Sequence, residues 1–334
     1  MTMVHGGDLD EAMALARAAG FDAGARSDWL DLSTGINPIP YPVAAIPPSA
    51  FHRLPDKAGQ TNLIQAACAY YKAPSPDHIV AAGGSALLIR LLPLVLPDRP
   101  VAVLTPTYGD HARVWDQSGR NLRVLSDPVE ARPSEITIIV NPNNPDGRVV
   151  SHSWLSAHAT KAKQAGGFLV VDEAFGDVMD EPSAVDLVAG GNVLILKSLG
   201  KFFGLAGVRL GFAIAPPALA ARLNDHLGAW AVSGPALHLG RLALEDLSFQ
   251  AETKLHLQKQ AARLAGLFEA SGFSADKGTS LFRLIESEEA PRLFLRFLEH
   301  QIYVRRFDYD PRWLRIGLPA DEAGFLRLEQ ALCP

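Results

Sequence analysis

Val193-Leu194-Ile195-Leu196 leads into Lys197-Ser198-Leu199-Gly200-Lys201-Phe202-Phe203-Gly204-Leu205-Ala206-Gly207-Val208-Arg209. A short apolar run closed by polar residues and glycine reads as a strand buried on both faces. Just beyond it stands a lysine, Lys201, set among Phe202, Phe203 and Leu205. Apolar surroundings favour the neutral amine, which is the form that attacks a carbonyl. Ser198 and Arg209 stand at offsets where a hydroxyl and a guanidinium can hold an anion beside that amine. Most lysines merely keep a surface in water, but one that comes after a buried strand with anion ligands on either side is a candidate catalytic residue.

Working outward, Ile79–Ala82, Val101–Leu104, Ile136–Val140 and Phe168–Val171 repeat the pattern of a short apolar run, then Gly, Pro, Asn or Asp, then helical periodicity. They are unbroken except for Thr137, so they predict strands covered on both faces in a mainly parallel sheet: an α/β fold. Leu210–Ile214 follows Lys201 too closely for a crossover helix and is expected as an additional antiparallel strand, making the sheet mixed. After Pro216–Pro217 the character changes, with helices predicted over 218–227, 236–246, 250–269, 290–300 and 320–332, and short strands around 281–285 and 313–316. This predicts a large domain over 46–215 and a smaller α+β domain over 216–334. The segment before residue 50 carries Pro38, Pro40, Pro42, Pro47 and Pro48 and reads as an irregular arm, with 1–45 counted with the small domain.

The chain of 334 residues is long enough for two lobes. Thirty-six acids against thirty-one Lys and Arg give a net charge of −5 without any block of like charge, which argues against nucleic acid or an anionic membrane as a partner. The most apolar stretch, Ile79 to Leu96, is interrupted by Gly83, Gly84, Arg90 and Pro93 and reads as core rather than a membrane span. Cys68 and Cys333 have neither metal spacing nor the density of a disulfide framework, and Met1 to Asp10 lacks a signal-peptide pattern. A cytoplasmic protein without a bound metal is expected.

Ligands of open α/β sheets sit beyond the carboxyl ends of the strands, so the residues just after each run are the candidates. Gly83-Gly84-Ser85-Ala86 opens a helix whose first N–H groups can hold a phosphate, although a plain strand-to-helix turn also explains the glycines. Tyr108, in Thr105-Pro106-Thr107-Tyr108, can stack on a flat ring or simply line a domain edge. Asn141-Pro142-Asn143-Asn144-Pro145-Asp146-Gly147 presents amides that can bond a ring substituent, or that serve only the turn. Asp172 ends an apolar strand and requires a cationic partner, either a protonated ring nitrogen or a structural Arg or Lys.

The segment Ser198–Arg209 resembles the Schiff-base segment of fold-type I pyridoxal-phosphate enzymes, especially histidinol-phosphate aminotransferases and threonine-phosphate decarboxylases, and the other strand ends come in the same order. The resemblance implies that Lys201 carries the Schiff base to pyridoxal 5'-phosphate, Asp172 pairs with its ring nitrogen, Asn144 bonds its ring hydroxyl and Tyr108 stacks on the ring. Gly84, Ser85, Ala86, Ser198 and Arg209 would hold its phosphate. It extends over nearly the whole chain, since Leu314-Arg315-Ile316 is similar to the family's substrate-binding arginine on a small-domain strand.

Three features are similar to the decarboxylase branch: His5-Gly6-Gly7-Asp8, the paired Asp31-Leu32-Ser33-Thr34-Gly35-Ile36-Asn37-Pro38, and Phe175 where many aminotransferases have Tyr. That branch converts O-phospho-L-threonine to (R)-1-aminopropan-2-yl phosphate for cobalamin, so the resemblance implies a lyase acting on a phosphorylated amino acid. Its substrate would be bound through His5, Gly6, Gly35, Asn37, Asn144, Arg305 and Arg315. A homodimer is implied too. The competing readings are a histidinol-phosphate-type aminotransferase, in which the same lysine moves a proton without loss of carbon dioxide, and a non-catalytic cofactor-binding protein. Two departures stand out: Leu54 replaces a Tyr that in the family reaches the neighbouring subunit's cofactor phosphate, and Asp146 replaces the Thr of the Asn-Pro-Thr-Gly turn.

Overall fold

A computed structural model describes residues 6–43 and 46–333, so His5 lies outside the described residues. The chain divides into two compact units, one of Met1–Ile39, Pro145–Gly147 and Glu252–Pro334, the other of Pro40–Asn144 and Arg148–Ala251.

The larger unit is built on a seven-stranded sheet in the order Ile79–Ala82, Gly211–Ile214, Val193–Ser198, Phe168–Asp172, Ile136–Val140, Val101–Leu104, Leu122–Leu125. Gly211–Ile214 is antiparallel to both of its neighbours and the other pairings are parallel, so the mixed sheet expected from the sequence is present. The five apolar runs form its inner strands and one edge, and every residue of Ile136–Val140 is buried. The polar exception, Thr137, is accommodated because His158 of the helix His152–Ala165 reaches its hydroxyl at 2.9 Å. The outer strand Leu122–Leu125 was not anticipated: it carries Arg123 and leaves Val124 exposed, so it lacks the continuous apolar signal of a doubly covered strand.

Helix ends obey ordinary capping chemistry. Asp56 accepts from the Gly59 N–H at the start of Lys57–Tyr71, and Ser151 does the same for Trp154 at the start of His152–Ala165. The helices Pro217–Leu227 and Gly234–Glu245, which lie beyond the change of character at Pro216–Pro217, are part of this unit: the first packs on Ser85–Val95 and the second on Lys57–Tyr71.

In the smaller unit an antiparallel sheet runs Arg305–Phe307, Asp310–Gly317, Phe282–Glu286, Lys277–Thr279, and Leu30–Asp31 pairs in parallel with Ile302–Tyr303. The helices Ala290–Glu299, Glu322–Leu332 and the part of Leu247–Ala270 from Glu252 onward carry its core with Phe268, Phe282, Phe297 and Leu328, all buried. The expectation of an irregular segment before residue 50 is corrected at its beginning, because Leu9–Ala18 is a helix. Asp8 caps it through the N–H groups of Asp10 and Glu11, acids occupy its first turn, and Ala12 and Ala16 bury one face at helical spacing. The prolines lie beyond it, from residue 38 onward. Among the described residues no helix is long and apolar enough to cross a membrane.

Candidate active site

The sheet of the larger unit gathers the candidate cofactor residues at one end. Gly211 pairs with Ala82 on one side and Ser198 on the other, so the turns after those two strands flank the residues just before Gly211. Arg209 therefore falls between the Gly83–Ser85 turn and Ser198. Its backbone is left-handed (φ 56°), and so is that of Gly84 (φ 95°). The guanidinium lies directly against Gly84, where a Cβ would come within 2.5 Å of Nη2. Gly84 begins the helix Ser85–Val95 without a side-chain cap, which leaves its first N–H groups without that partner. Backbone N–H groups, a guanidinium and the Ser198 hydroxyl are the donor set that a phosphate requires.

Asp172 is buried at the tip of its strand. Its Oδ1 accepts from the Ala174 N–H at 2.9 Å and its Oδ2 lies 2.8 Å from Nε2 of His111. This histidine was missed in the sequence, although its spacing of three from Tyr108 at the start of Asp110–Gln117 was an available signal. The two rings meet edge to face with centroids 6.2 Å apart. The Tyr108 hydroxyl donates to Asp110 at 2.8 Å, and burial together with that carboxylate pushes its phenol well above its ordinary value. Tyr108 thus acts here as a neutral ring.

The Asn-Pro turn sorts its two amides. Asn143 is buried, accepting from Thr107 at 2.6 Å and donating to the Pro106 carbonyl at 2.9 Å, so it fixes the turn to the neighbouring strand end. Asn144 is only half-buried, while the Asn141 N–H donates to the Asp172 carbonyl at 2.8 Å and holds this turn beside the Asp172 strand.

Lys201 is half-buried, and its Nζ lies 5.4 Å from the centre of the buried Phe175 ring. Nearby in the chain, Lys197 and Glu173 form an ion pair of 2.7 Å that links the strand leading to Lys201 to the Asp172 strand. Burial works against the Lys197 charge, but Glu173 and Asp177 outweigh it and hold the ammonium above its ordinary value. Sequence reasoning did not single out this pair, because a lysine inside an apolar strand gives no hint of its partner.

In the smaller unit Arg305 and Arg315 are cross-strand partners in register. Arg315 is buried, donates from Nη2 to the Ser33 carbonyl at 2.7 Å, and is brought down to about 10 by burial and by the like charge of Arg305. Burial lowers Arg305 as well. Two desolvated guanidiniums side by side form a place where an anion relieves repulsion. Gly6 packs on the same Ser33, and buried Gly35 and Asn37 come next along that segment, with Asn37 Oδ1 accepting from Ile39 at 2.9 Å. Leu54, where the resemblance expects Tyr, is 68% exposed.

The cradle formed by Gly84 and Arg209, the buried acid, the aromatic ring and the lysine together fit the phosphate, ring nitrogen, ring face and carbonyl carbon of pyridoxal phosphate. The aminotransferase class I and II family matches residues 28–325. A protein of Sinorhizobium sp. named threonine-phosphate decarboxylase is 42% identical over 99% of this chain and 97% of its own length. One of the same name from Pseudomonas aeruginosa is 38% identical over 98% and 96%. The crystal structure of histidinol-phosphate aminotransferase from Sinorhizobium meliloti in complex with pyridoxal-5'-phosphate has the same fold, with a TM-score of 0.77 over 99% of this chain and 97% of that one at 18% identity.

Proposed function

The chain belongs to the aminotransferase class I and II family, and from that premise we propose that it is a pyridoxal-phosphate-dependent lyase that removes carbon dioxide from O-phospho-L-threonine, leaving (R)-1-aminopropan-2-yl phosphate. The observation that carries this reading is the 42% identity, over nearly the full length of both proteins, to a relative named threonine-phosphate decarboxylase. Arg305 and Arg315 support it, since a substrate with both a phosphate and a carboxylate matches two adjacent guanidiniums.

When bound, pyridoxal phosphate supplies an electron sink that lowers the cost of breaking a bond at the substrate's Cα. Ser198, Arg209 and the N–H groups of Ser85 and Ala86 would hold its phosphate, Asp172 its ring nitrogen, Asn144 its ring hydroxyl and Tyr108 its ring face. Lys201 would hold it covalently through Nζ, with Phe175 keeping water from one side of that amine. The protein decides which Cα bond is aligned for cleavage. With the substrate phosphate anchored near His5, Asn37 and Arg305 and its carboxylate near Arg315, or with the two arginine roles exchanged, the bond to the carboxylate carbon would be the one aligned for cleavage. Lys201 Nζ then delivers a proton to Cα in place of the departed carbon dioxide.

The test is a product assay. The protein loaded with cofactor is given O-phospho-L-threonine and carbon dioxide is measured, beside a second assay for conversion of 2-oxoglutarate to glutamate. Carbon dioxide without glutamate supports the lyase, and glutamate without carbon dioxide replaces it with an aminotransferase. A cytoplasmic homodimer is the assembly we propose, and active monomers in sedimentation would refute it.

A further inference from the structure

Two members of the predicted substrate-binding set in the smaller unit, Gly6 with its neighbour Gly7 and Arg315, are tied to a single residue of the Asp31–Pro38 segment that was not itself predicted to touch substrate. Ser33 is fully buried. Its carbonyl accepts from Arg315 Nη2 at 2.7 Å, and its Oγ accepts from the Gly7 N–H at 2.7 Å. Gly6 lies so close to the same carbonyl that a Cβ would overlap its oxygen. Asp31 Oδ1 in turn accepts from Ser33 Oγ at 2.6 Å and from Ser33 N at 2.9 Å. A carboxylate can only accept, so the Ser33 hydroxyl must donate to Asp31 and turn a lone pair toward Gly7. Asp31 thereby fixes the polarity of the whole chain of bonds. The Gly317 N–H donates to the Leu32 carbonyl at 2.7 Å, which stitches the strand carrying Arg315 to the same segment.

We infer that Asp31 and Ser33 are positioning residues for substrate capture: they hold Gly6-Gly7 and the Arg315 guanidinium in one arrangement before an anion arrives. The inference rests on the decarboxylase reading only for the choice of substrate. Preorganisation of this kind acts on binding, because the ligand otherwise bears the cost of ordering the groups that receive it. Proton delivery to Cα is the proposed role of Lys201, which is part of the larger unit, whereas Asp31 and Ser33 belong to the smaller one.

Three variants separate the roles. Ser33→Ala removes the hydroxyl, Asp31→Ala removes the acceptor that orients it, and Asp31→Asn keeps an acceptor oxygen without the charge. In the cofactor-loaded enzyme, Ser33→Ala and Asp31→Ala should raise KM for O-phospho-L-threonine by about tenfold or more with kcat within about threefold, while Asp31→Asn stays within about threefold in both. Hydrogen exchange of the peptide covering Gly6–Asp8 should quicken in Ser33→Ala and Asp31→Ala and not in Asp31→Asn. A fall in kcat at unchanged KM, or exchange at the wild-type rate in both alanine variants, overturns the inference. If the wild-type enzyme releases no carbon dioxide from O-phospho-L-threonine, the substrate reading fails and the exchange comparison alone decides the tether. Should Ser33→Ala fail to fold, the two Asp31 variants carry the same comparison.

Discussion

Nε2 of His111 lies 2.8 Å from Oδ2 of Asp172, with both side chains closed off from solvent. A carboxylate accepts, so Nε2 carries the proton that bonds it, and Nδ1 has no hydrogen-bond partner among the described residues. His111 on Oδ2 and the Ala174 N–H on Oδ1 therefore keep this buried carboxylate, proposed to meet the cofactor's ring nitrogen, in one orientation. Replacing it with Phe removes a hydrogen bond to a charged group, worth about 1.5–3 kcal/mol. His111→Phe should weaken cofactor binding by roughly ten- to a hundredfold in a fluorescence titration, with His111→Gln in between. Unchanged affinity in His111→Phe would show that Asp172 needs no help from it.

Lys201→Ala should leave a folded protein that still binds pyridoxal phosphate but yields no cofactor adduct on borohydride reduction and releases no carbon dioxide. Its amine faces Phe175 at 5.4 Å and its side chain is only half-buried, so truncating it removes a nucleophile and leaves the apolar interior of the sheet intact. Mass spectrometry of the reduced protein makes the check, and a cofactor-sized mass increment on the variant would move the Schiff base to another residue.

The strands were legible because a doubly covered strand must be apolar throughout, and the positions after them because a sheet delivers chemistry at its carboxyl ends. Asp172, Asn144, Tyr108 and Arg209 could be named for that reason. Illegible were the partners that packing supplies from far along the chain: His111 lies sixty-one residues from Asp172, and Ser33 meets Arg315 across 282. The helix Leu9–Ala18 was hidden by a different cause, since the prolines beyond it dominated the reading of the segment. The edge strand Leu122–Leu125 carries Arg123 and an exposed Val124, a pattern that a loop shares.

Gly84 meets Arg209 where any side chain would intrude. Its φ of 95° disfavours an L-residue, and a Cβ would stand 2.5 Å from the guanidinium. Strain of this sort costs on the order of 1–3 kcal/mol. Gly84→Ala should therefore raise the dissociation constant of pyridoxal phosphate by about tenfold or more, while the affinity for pyridoxal without its phosphate changes little. Equal losses for both ligands would place the defect elsewhere than the phosphate cradle.

Lys197 and Glu173 are both buried, and the carboxylate also receives the Ala184 N–H at 2.8 Å and the Ser183 hydroxyl. Removing one member of such a pair leaves the other charge without compensation, at about 3–5 kcal/mol. Lys197→Met alone should lower the denaturation midpoint sharply, and adding Glu173→Gln should recover part of the loss. A double variant no better than the single one would mean that the two side chains are not energetically coupled.

His158 carries a pH dependence that can be worked out in sign. It is buried, stacks on Trp154 with centroids 4.8 Å apart, and reaches the Thr137 hydroxyl within the sheet. Burial, then the charge of Lys161, lowers its pKa against the opposing pull of Glu135. A histidine with a depressed pKa in the folded state binds its proton less readily there than in the unfolded chain. Its contribution is thus intact above the unfolded value near ~6.5, declines as pH falls through the interval below it, and levels off once the folded pKa is passed. His158→Gln keeps a donor for Thr137 and removes the titration, so the difference in unfolding free energy between wild type and variant should change across that interval and stay flat above pH ~7. Parallel curves for the two proteins from neutral to acidic pH would show that His158 takes up its proton as easily in the fold as outside it.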